Sequence, residues 1–380
     1  MKDELIPFNK PVVIGDELDF IVDSIKNGWI SGDGPYTKKA QEILQNKINV
    51  NANVLLTTSC THALEMSAIL IDIAPGDEVI IPSFTFVSTA LAFVMRGAKP
   101  VFADIKPDTL NINENNIESL ITDKTRAIVP VHYAGVGCEM DVIMDIASVR
   151  NLVVIEDNAH GLFGSYKGRD LGSFGHMATQ SFHETKNIIC GEGGALVIND
   201  KQYSERAEII REKGTDRSRF FKGQVDKYSW IDKGSSYVMS DILAAFLYAQ
   251  LMCADEIQKK RKTIWELYYS SLLGWADRFD IGLPFVPEYC SQPYHMFYLL
   301  MPSHDTRSDF IRYLKMHNIN AVFHYLPLHS SKMGRELNDL KIECPVSDDV
   351  SSRLVRLPFF NGLSAVEIKR ITDTINAYVL

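Results

Sequence analysis

The sequence predicts an α/β protein: a large domain on a mostly parallel sheet with helices on both faces, then a smaller α+β domain at the C-terminus. Three observations carry that expectation. Short apolar runs of strand length alternate with segments of helical spacing up to about residue 213, as in a sheet whose strands are joined by crossover helices. At 380 residues and 46% hydrophobic, the chain is long enough for a large core and a second, smaller one. From Asp241 a helical pattern rich in Ala, Leu and Gln runs to about Leu272 and reads as the link, dividing the chain into 1–250 and 251–380.

Composition sets several function classes aside. A net charge of −9 argues against a nucleic-acid binder. No apolar run approaches the ~20 residues needed to span a bilayer, and the N-terminus lacks the apolar core of a signal peptide. The six cysteines are scattered, without C-x-x-C or metal-ligand spacing, and read as reduced thiols of a cytoplasmic protein.

Residues 16–27 and 38–48 have apolar spacing near 3.6 and read as helices around a glycine-rich loop, Gly28-Trp29-Ile30-Ser31-Gly32-Asp33-Gly34-Pro35. Val54-Leu55-Leu56 is a short buried strand, and Thr57-Thr58-Ser59-Cys60-Thr61 opens a helix that continues to about Leu70. Hydroxyl side chains there can cap the helix. The same terminus, with free N–H groups and the positive end of the dipole, is also an anion site. Ser59, and Cys60 through its backbone N–H, are the candidates for holding a phosphate. The strand at 78–81 ends at Pro82 through Thr89, where Phe86 is placed to stack on a flat ring.

The alternation continues with strands at 100–103 and 127–130 and helices at 114–121 and 139–149. Leu152-Val153-Val154-Ile155 then runs into Glu156-Asp157-Asn158-Ala159-His160. This strand ends in a carboxylate, and open α/β sheets place ligands at the carboxyl ends of their strands. His132 and Tyr133 stand at a neighbouring strand end. Residues 195–198 form the next strand and 201–213 a helix. The long segment 214–236 carries Phe220, Phe221, Tyr228 and Trp230, which argue against disorder. The remainder holds alternating segments at 296–301 and 321–325 and helices near 306–317 and 365–378.

The chemistry centres on Ser181-Phe182-His183-Glu184-Thr185-Lys186-Asn187, followed by Gly191-Glu192-Gly193-Gly194. A lone lysine in a polar loop ordinarily reads as a solvated charge. Here Asp157 stands at another strand end of the same rim. Pyridoxal phosphate (PLP) chemistry needs that pair: an amine to condense with the cofactor's aldehyde, and a carboxylate to keep its ring nitrogen protonated. The lysine can also move the proton. A metal enzyme is disfavoured, because His183-Glu184 has no second His at helical spacing.

These three motifs, from Glu156 to His160, from Ser181 to Asn187 and from Gly191 to Gly194, resemble the signature of the DegT/DnrJ/EryC1/StrS nucleotide-sugar aminotransferases. The likeness covers nearly the whole chain. Within that family, residues 206–214 and 217–237 are most similar to the transaminases that make dTDP-4-amino-4,6-dideoxygalactose for enterobacterial common antigen. The resemblance implies a fold-type-I PLP-dependent transferase with pyridoxal 5'-phosphate as cofactor. Lys186 and Asp157 are then catalytic, Ser59, Cys60 and Ser181 hold the phosphate, and Phe86 and His160 lie against the ring.

It implies a homodimer with shared active sites, in which Ser236 reaches the neighbour's cofactor. The loop bearing Trp29 and Ser31 closes over the substrate, and Tyr325 and His329 lie near the sugar. From the residues themselves, Arg217, Arg219, Lys222 and Lys227 read as cations able to pair with a diphosphate, or as an ordinary basic surface loop. The implied reaction moves the amino group of glutamate to C4 of dTDP-4-keto-6-deoxyglucose, giving the galacto product. Alternatives are the gluco epimer, amination at C3 of a related keto sugar, a dehydratase of the same fold, and a non-catalytic sensor. Relatives that are dehydratases replace the lysine, so Lys186 counts against that reading.

Overall fold

In the computed structural model, which describes residues 4–338 and 342–380, helices α1 (Glu17–Lys26) and α2 (Pro35–Ile48) precede the first strand. Then β1 (Asn53–Thr57), α3 (Cys60–Leu70), β2 (Glu78–Pro82), α4 (Ser88–Val94) and β3 (Lys99–Ala103) alternate. The alternation goes on through α5 (Glu114–Leu120), β4 (Thr125–Ile128), α6 (Met140–Arg150) and β5 (Val153–Asp157). A small hairpin, β6 (Ser165–Tyr166) and β7 (Arg169–Asp170), leads to β8 (Met177–Ser181) and β9 (Gly194–Ile198). Next come α7 (Ser204–Arg211), α8 (Arg217–Phe221), α9 (Asp241–Met252) and α10 (Ala254–Phe279). The C-terminal part holds β10 (Cys290–Ser291), β11 (Tyr298–Leu300), α11 (His304–Met316) and α12 (Lys332–Leu337), then α13 (Pro345–Arg353), β12 (Leu354–Arg356) and α14 (Ala365–Asn376).

The main sheet has seven strands in the order β1-β9-β8-β5-β4-β2-β3. It is mostly parallel, and β9 alone runs antiparallel to both of its neighbours. Its strands are largely apolar, as suits a sheet with helices on both faces. Leu55, Ile81, Val129 and Ile155 pack on one face with α3 and α4. The alternate residues Val54 and Leu56 pack on the other face with α2 and α9, and Ile80, Ile128 and Val154 with α5 and α6.

A second core gathers Ile264, Tyr268 and Leu272 of α10, Phe297, Leu299, Phe310 and Leu314, and Ile371 and Ile375 of α14. Ile6 joins it from the other end of the chain, its backbone bridging Ile319.

Some boundaries differ from those expected. α2 begins at Pro35, whose fixed φ and missing N–H suit the first helical position. The pattern from Asp241 to about Leu272 is two helices that meet at Cys253. The first packs on α1 and α2, and the second runs on to Phe279 in the second core. Residues 321–325 form no strand, only a single bridge between Val322 and Arg356. The segment 214–236 holds α8 and is folded back by a bridge from Thr215 to Trp230.

Candidate active site

The parallel strands of the main sheet all end at one edge. There, between the sheet and the second core, lies a cavity of about 550 Å³. Its walls come from the β1–α3 turn, the β2–α4 turn, the ends of β5 and β8, and the second core.

Asp157 is the last residue of β5 and is buried at 5% exposure. Its Oδ2 accepts a hydrogen bond from Thr89 Oγ1 at 2.8 Å, and its Oδ1 accepts from the Ala159 N–H at 3.2 Å. Thr89 is itself joined to Thr85 at 2.8 Å. Burial pushes the Asp157 carboxyl upward, against the pull of Thr89, the Ala159 N–H and Lys186. Its neighbour Glu156 points the other way along the strand and plays a different part. Fully buried, Glu156 accepts from the Gly172, Phe174 and Gly175 N–H groups at 2.7–2.8 Å and from His132 Nε2 at 2.9 Å, fixing the turn before β8. His132 Nδ1 accepts from the Cys138 N–H, so Nε2 carries the hydrogen.

Lys186 follows β8 in a loop clamped on the glycine cluster: Phe182 donates to the Gly193 carbonyl, Glu184 to Gly191, and Lys186 to His183. Burial lowers the Lys186 pKa to about 8. Burial also holds the nearby Cys60 thiol up at about 12, so the thiol is neutral. Asn187 ties the loop to the second core. Its Nδ2 donates to the Pro293 carbonyl at 2.6 Å, which turns its oxygen to His295 Nδ1 at 2.8 Å and places the hydrogen on that nitrogen.

The facing wall is a stack of imidazoles. His160 and His295 stack at 4.3 Å and 18°, and His324 lies 6.2 Å from His160. Tyr133 Oη is 3.0 Å from His324 Nδ1. Burial holds all three histidines well below the ordinary range, and they are neutral at pH 7. His160 Nδ1 is buried without a partner.

At the other end the Ser59 hydroxyl caps α3 by accepting from the His62 N–H at 3.1 Å. The Cys60 and Thr61 N–H groups at this terminus have no acceptor among the described residues. β9 comes so close that a Cβ on Gly194 would lie 2.4 Å from the Cys60 nitrogen, so only glycine lets the strand form this cradle.

These residues fit PLP. A buried carboxylate without a cationic partner within ion-pair distance suits a pyridinium N–H, an amine of lowered pKa suits the aldehyde, and a free helix N-terminus suits the phosphate.

Eight of the expected site residues line the cavity: Ser59, Cys60, Phe86, Asp157, His160, Ser181, Lys186 and Tyr325. Six lie outside its lining in the single chain. Trp29 Nε1 donates to the Gly32 carbonyl, the Ser31 carbonyl accepts from Asp241, and Ser236 bridges Glu212. Arg217 pairs with Glu212 at 3.6 Å and Lys222 with Glu208 at 2.6 Å. His329 is held by Ser83 at 2.6 Å and Asp348 at 3.4 Å. Sequence reasoning did not single out Thr89, His295 or Arg356. Thr89 sits in the first turn of α4, a few residues past the end of β2, and could have been noticed there, whereas His295 and Arg356 lie in no motif.

A family model described as the DegT/DnrJ/EryC1/StrS aminotransferase family matches residues 13–376. An uncharacterised protein of Methanocaldococcus jannaschii, MJ1066, is 34% identical over 99% of this chain and 97% of its own. The spore coat polysaccharide biosynthesis protein SpsC of Bacillus subtilis is 29% identical over 100% of this chain and 98% of its own. Among solved structures, Spr1654 of Streptococcus pneumoniae, described as a sugar aminotransferase, matches in its PMP form with a TM-score of 0.90. It is 26% identical and 98% of each chain is covered; the PLP form of the same protein matches at 0.89.

Proposed function

The chain belongs to the DegT/DnrJ/EryC1/StrS aminotransferase family, and from that premise we propose that it moves the amino group of glutamate onto C4 of dTDP-4-keto-6-deoxy-D-glucose, giving dTDP-4-amino-4,6-dideoxy-D-galactose. Pyridoxal 5'-phosphate is the cofactor. The observation that carries the reading is Asp157 at the end of β5 and Lys186 in the loop after the adjacent β8, lining one cavity.

When bound, the cofactor supplies a ring that takes up the electron pair left on the donor's α-carbon. Everything else falls to the chain. The Cys60 and Thr61 N–H groups and the Ser181 hydroxyl hold the phosphate. Asp157, kept in place by Thr89 and Ala159, holds the proton on the ring nitrogen. Lys186, its pKa lowered to about 8, gives up its proton far more readily than an ordinary lysine and carries the proton away from the donor carbon and back. Tyr325 and the neutral His324 present hydrogen-bonding groups to sugar hydroxyls without a charge.

Trp29, Ser31, Arg217, Lys222 and Ser236 then serve the site of a second copy in a homodimer. In support, Phe221 is 70% and Trp230 80% exposed on the single chain. The name of SpsC supports a place in surface-polysaccharide synthesis. No helix among the described residues is long and apolar enough to cross a membrane.

The test is incubation with glutamate and a panel of dTDP- and UDP-keto sugars, followed by NMR of the product. Small H3–H4 and H4–H5 couplings mean the axial amine of the galacto product. Large couplings would make the gluco epimer the product, an amine at C3 would defeat both, and no amine from any keto sugar would favour the sensor.

A further inference from the structure

Pro293-Tyr294-His295 leads from the second core to the wall of the cavity, and the chain grips it from both sides. On one side the buried Arg261 of α10 donates to the Tyr294 carbonyl at 3.0 Å and to the His295 carbonyl at 2.6 Å. On the other, Asn187 donates to the Pro293 carbonyl at 2.6 Å and accepts from His295 Nδ1 at 2.8 Å. The imidazole fixed in this way meets the chain neighbours of both catalytic residues. Asn187 follows Lys186 directly, and His160, three residues after Asp157, lies against the His295 ring at 4.3 Å and 18°.

Neither imidazole carries a charge. The cations whose fields reach the pair are Lys186, Arg261 and Arg356, and burial favours the neutral forms. Among the described residues no carboxylate bonds to either ring; Tyr133 meets His160 edge-on at 6.0 Å and His324 lies beyond it. Two neutral rings so nearly parallel attract by stacking. His160 Nδ1 is buried with no partner. A buried N–H without an acceptor is rarer and costlier than a bare lone pair, so the His160 hydrogen sits on Nε2.

We propose that His295 is a positioning residue acting through His160: pinned by Asn187 and Arg261, it backs the His160 imidazole and fixes the plane that His160 presents to the cofactor ring. This rests on the reading of the cavity as a PLP site and adds a supporting layer to it. A histidine ring turns about two side-chain bonds, and a second ring stacked on it removes that freedom before the cofactor arrives. Binding then has less to order, so the cofactor is held more tightly and in one setting. Ordinary packing of the pair would affect the stability of the fold alone.

The test measures PLP affinity of the full-length protein by absorbance titration, together with the visible circular dichroism of bound cofactor, which reports how its ring is set. His295→Ala weakens PLP binding about 3- to 10-fold, the range of one aromatic stack, and diminishes the visible signal. His295→Phe keeps a ring on His160 without the Asn187 bond and restores most of both. Nitrogen NMR of the cofactor-free wild type shows the His295 hydrogen on Nδ1 and the His160 hydrogen on Nε2. In Asn187→Ala the His295 ring loses its single tautomer.

Unchanged affinity and visible signal in a folded His295→Ala protein overturn the proposal, as does a Phe variant no better than the Ala variant. If neither variant folds, the wild-type NMR decides alone: the His295 hydrogen on Nε2, or a charged His160 at neutral pH, overturns it. A protein that meets these expectations but aminates no sugar leaves His295 its role and defeats the sugar assignment. A wild type that takes up no PLP defeats the cofactor reading and the proposal with it.

Discussion

Asp157 is buried and Lys186 half-buried, and burial acts on the two differently. It lowers the lysine toward the range a proton carrier needs and raises the carboxyl, while Thr89, the Ala159 N–H and Lys186 favour the anion that the ring nitrogen requires. Lys186→Ala should fold normally by circular dichroism and complete no multiple turnovers, because the proton carrier is gone; repeated turnover by a folded variant would remove Lys186 from the mechanism. Asp157→Asn keeps the shape and the Thr89 contact but cannot hold the ring nitrogen's proton. Its kcat should fall on the order of a thousandfold at nearly unchanged stability.

The lowered Lys186 pKa also predicts a pH dependence for the cofactor-free protein. The amine is uncharged above about pH 8, so the rate of cofactor capture, followed by visible absorbance, should rise as pH passes through 8. The same shift has a sign for stability. Between about 8 and the ordinary 10.5 the unfolded chain holds a proton on Lys186 that the folded chain has released, so folding stability from this residue increases with pH there. A capture rate that is flat from pH 7 to 9 would contradict the shift.

Among the elements, α9 and α2 are joined by one buried carboxylate. Asp241, the first residue of α9, accepts from the Thr37 N–H and hydroxyl at 2.8 Å each and from the Tyr36 N–H at 3.2 Å, so it caps α2. Gly34, where the loop enters α2, has no room for a Cβ against the same carboxylate. Asp241→Ala strands three donors at a buried helix start. It should cost about 2–4 kcal/mol in urea unfolding, more than an ordinary cap. A loss below about 0.5 kcal/mol would mean that water replaces the carboxylate.

The whole molecule leaves apolar side chains uncovered along one stretch of sequence after another: Leu18, Val22 and Ile25 on α1, then Trp29 and Ile30, then Phe221, Trp230 and Ile231. A second copy related by a twofold axis would cover them and bring Arg217 and Lys222 to the neighbouring cavity. Neither Lys186→Ala nor the double variant Arg217→Ala, Lys222→Ala should be active alone. Mixed and exchanged in equal amounts, the two should regain about a quarter of wild-type activity, since half the dimers then carry one intact site. A fully active monomer in analytical ultracentrifugation would contradict this.

Strand and helix alternation, the helix start at Ser59, the carboxylate ending β5 and the lysine before the glycine cluster are all written in the sequence. Each depends on residues close together along the chain: a period, a cap, or a strand end next to a turn. What the tertiary structure decided depends on residues far apart. The antiparallel course of β9 follows from pairing between β1 and β8, which no local pattern encodes. Ile6 lies in the C-terminal core because its backbone pairs with Ile319. Thr89 reaches Asp157 across 68 residues, and Asn187 reaches His295 across 108. The His295 ring on His160 came to light only when the second core was seen against the sheet. A histidine in a sequence says nothing of which amide or ring will meet it, and that is settled by where the chain brings its side chains together.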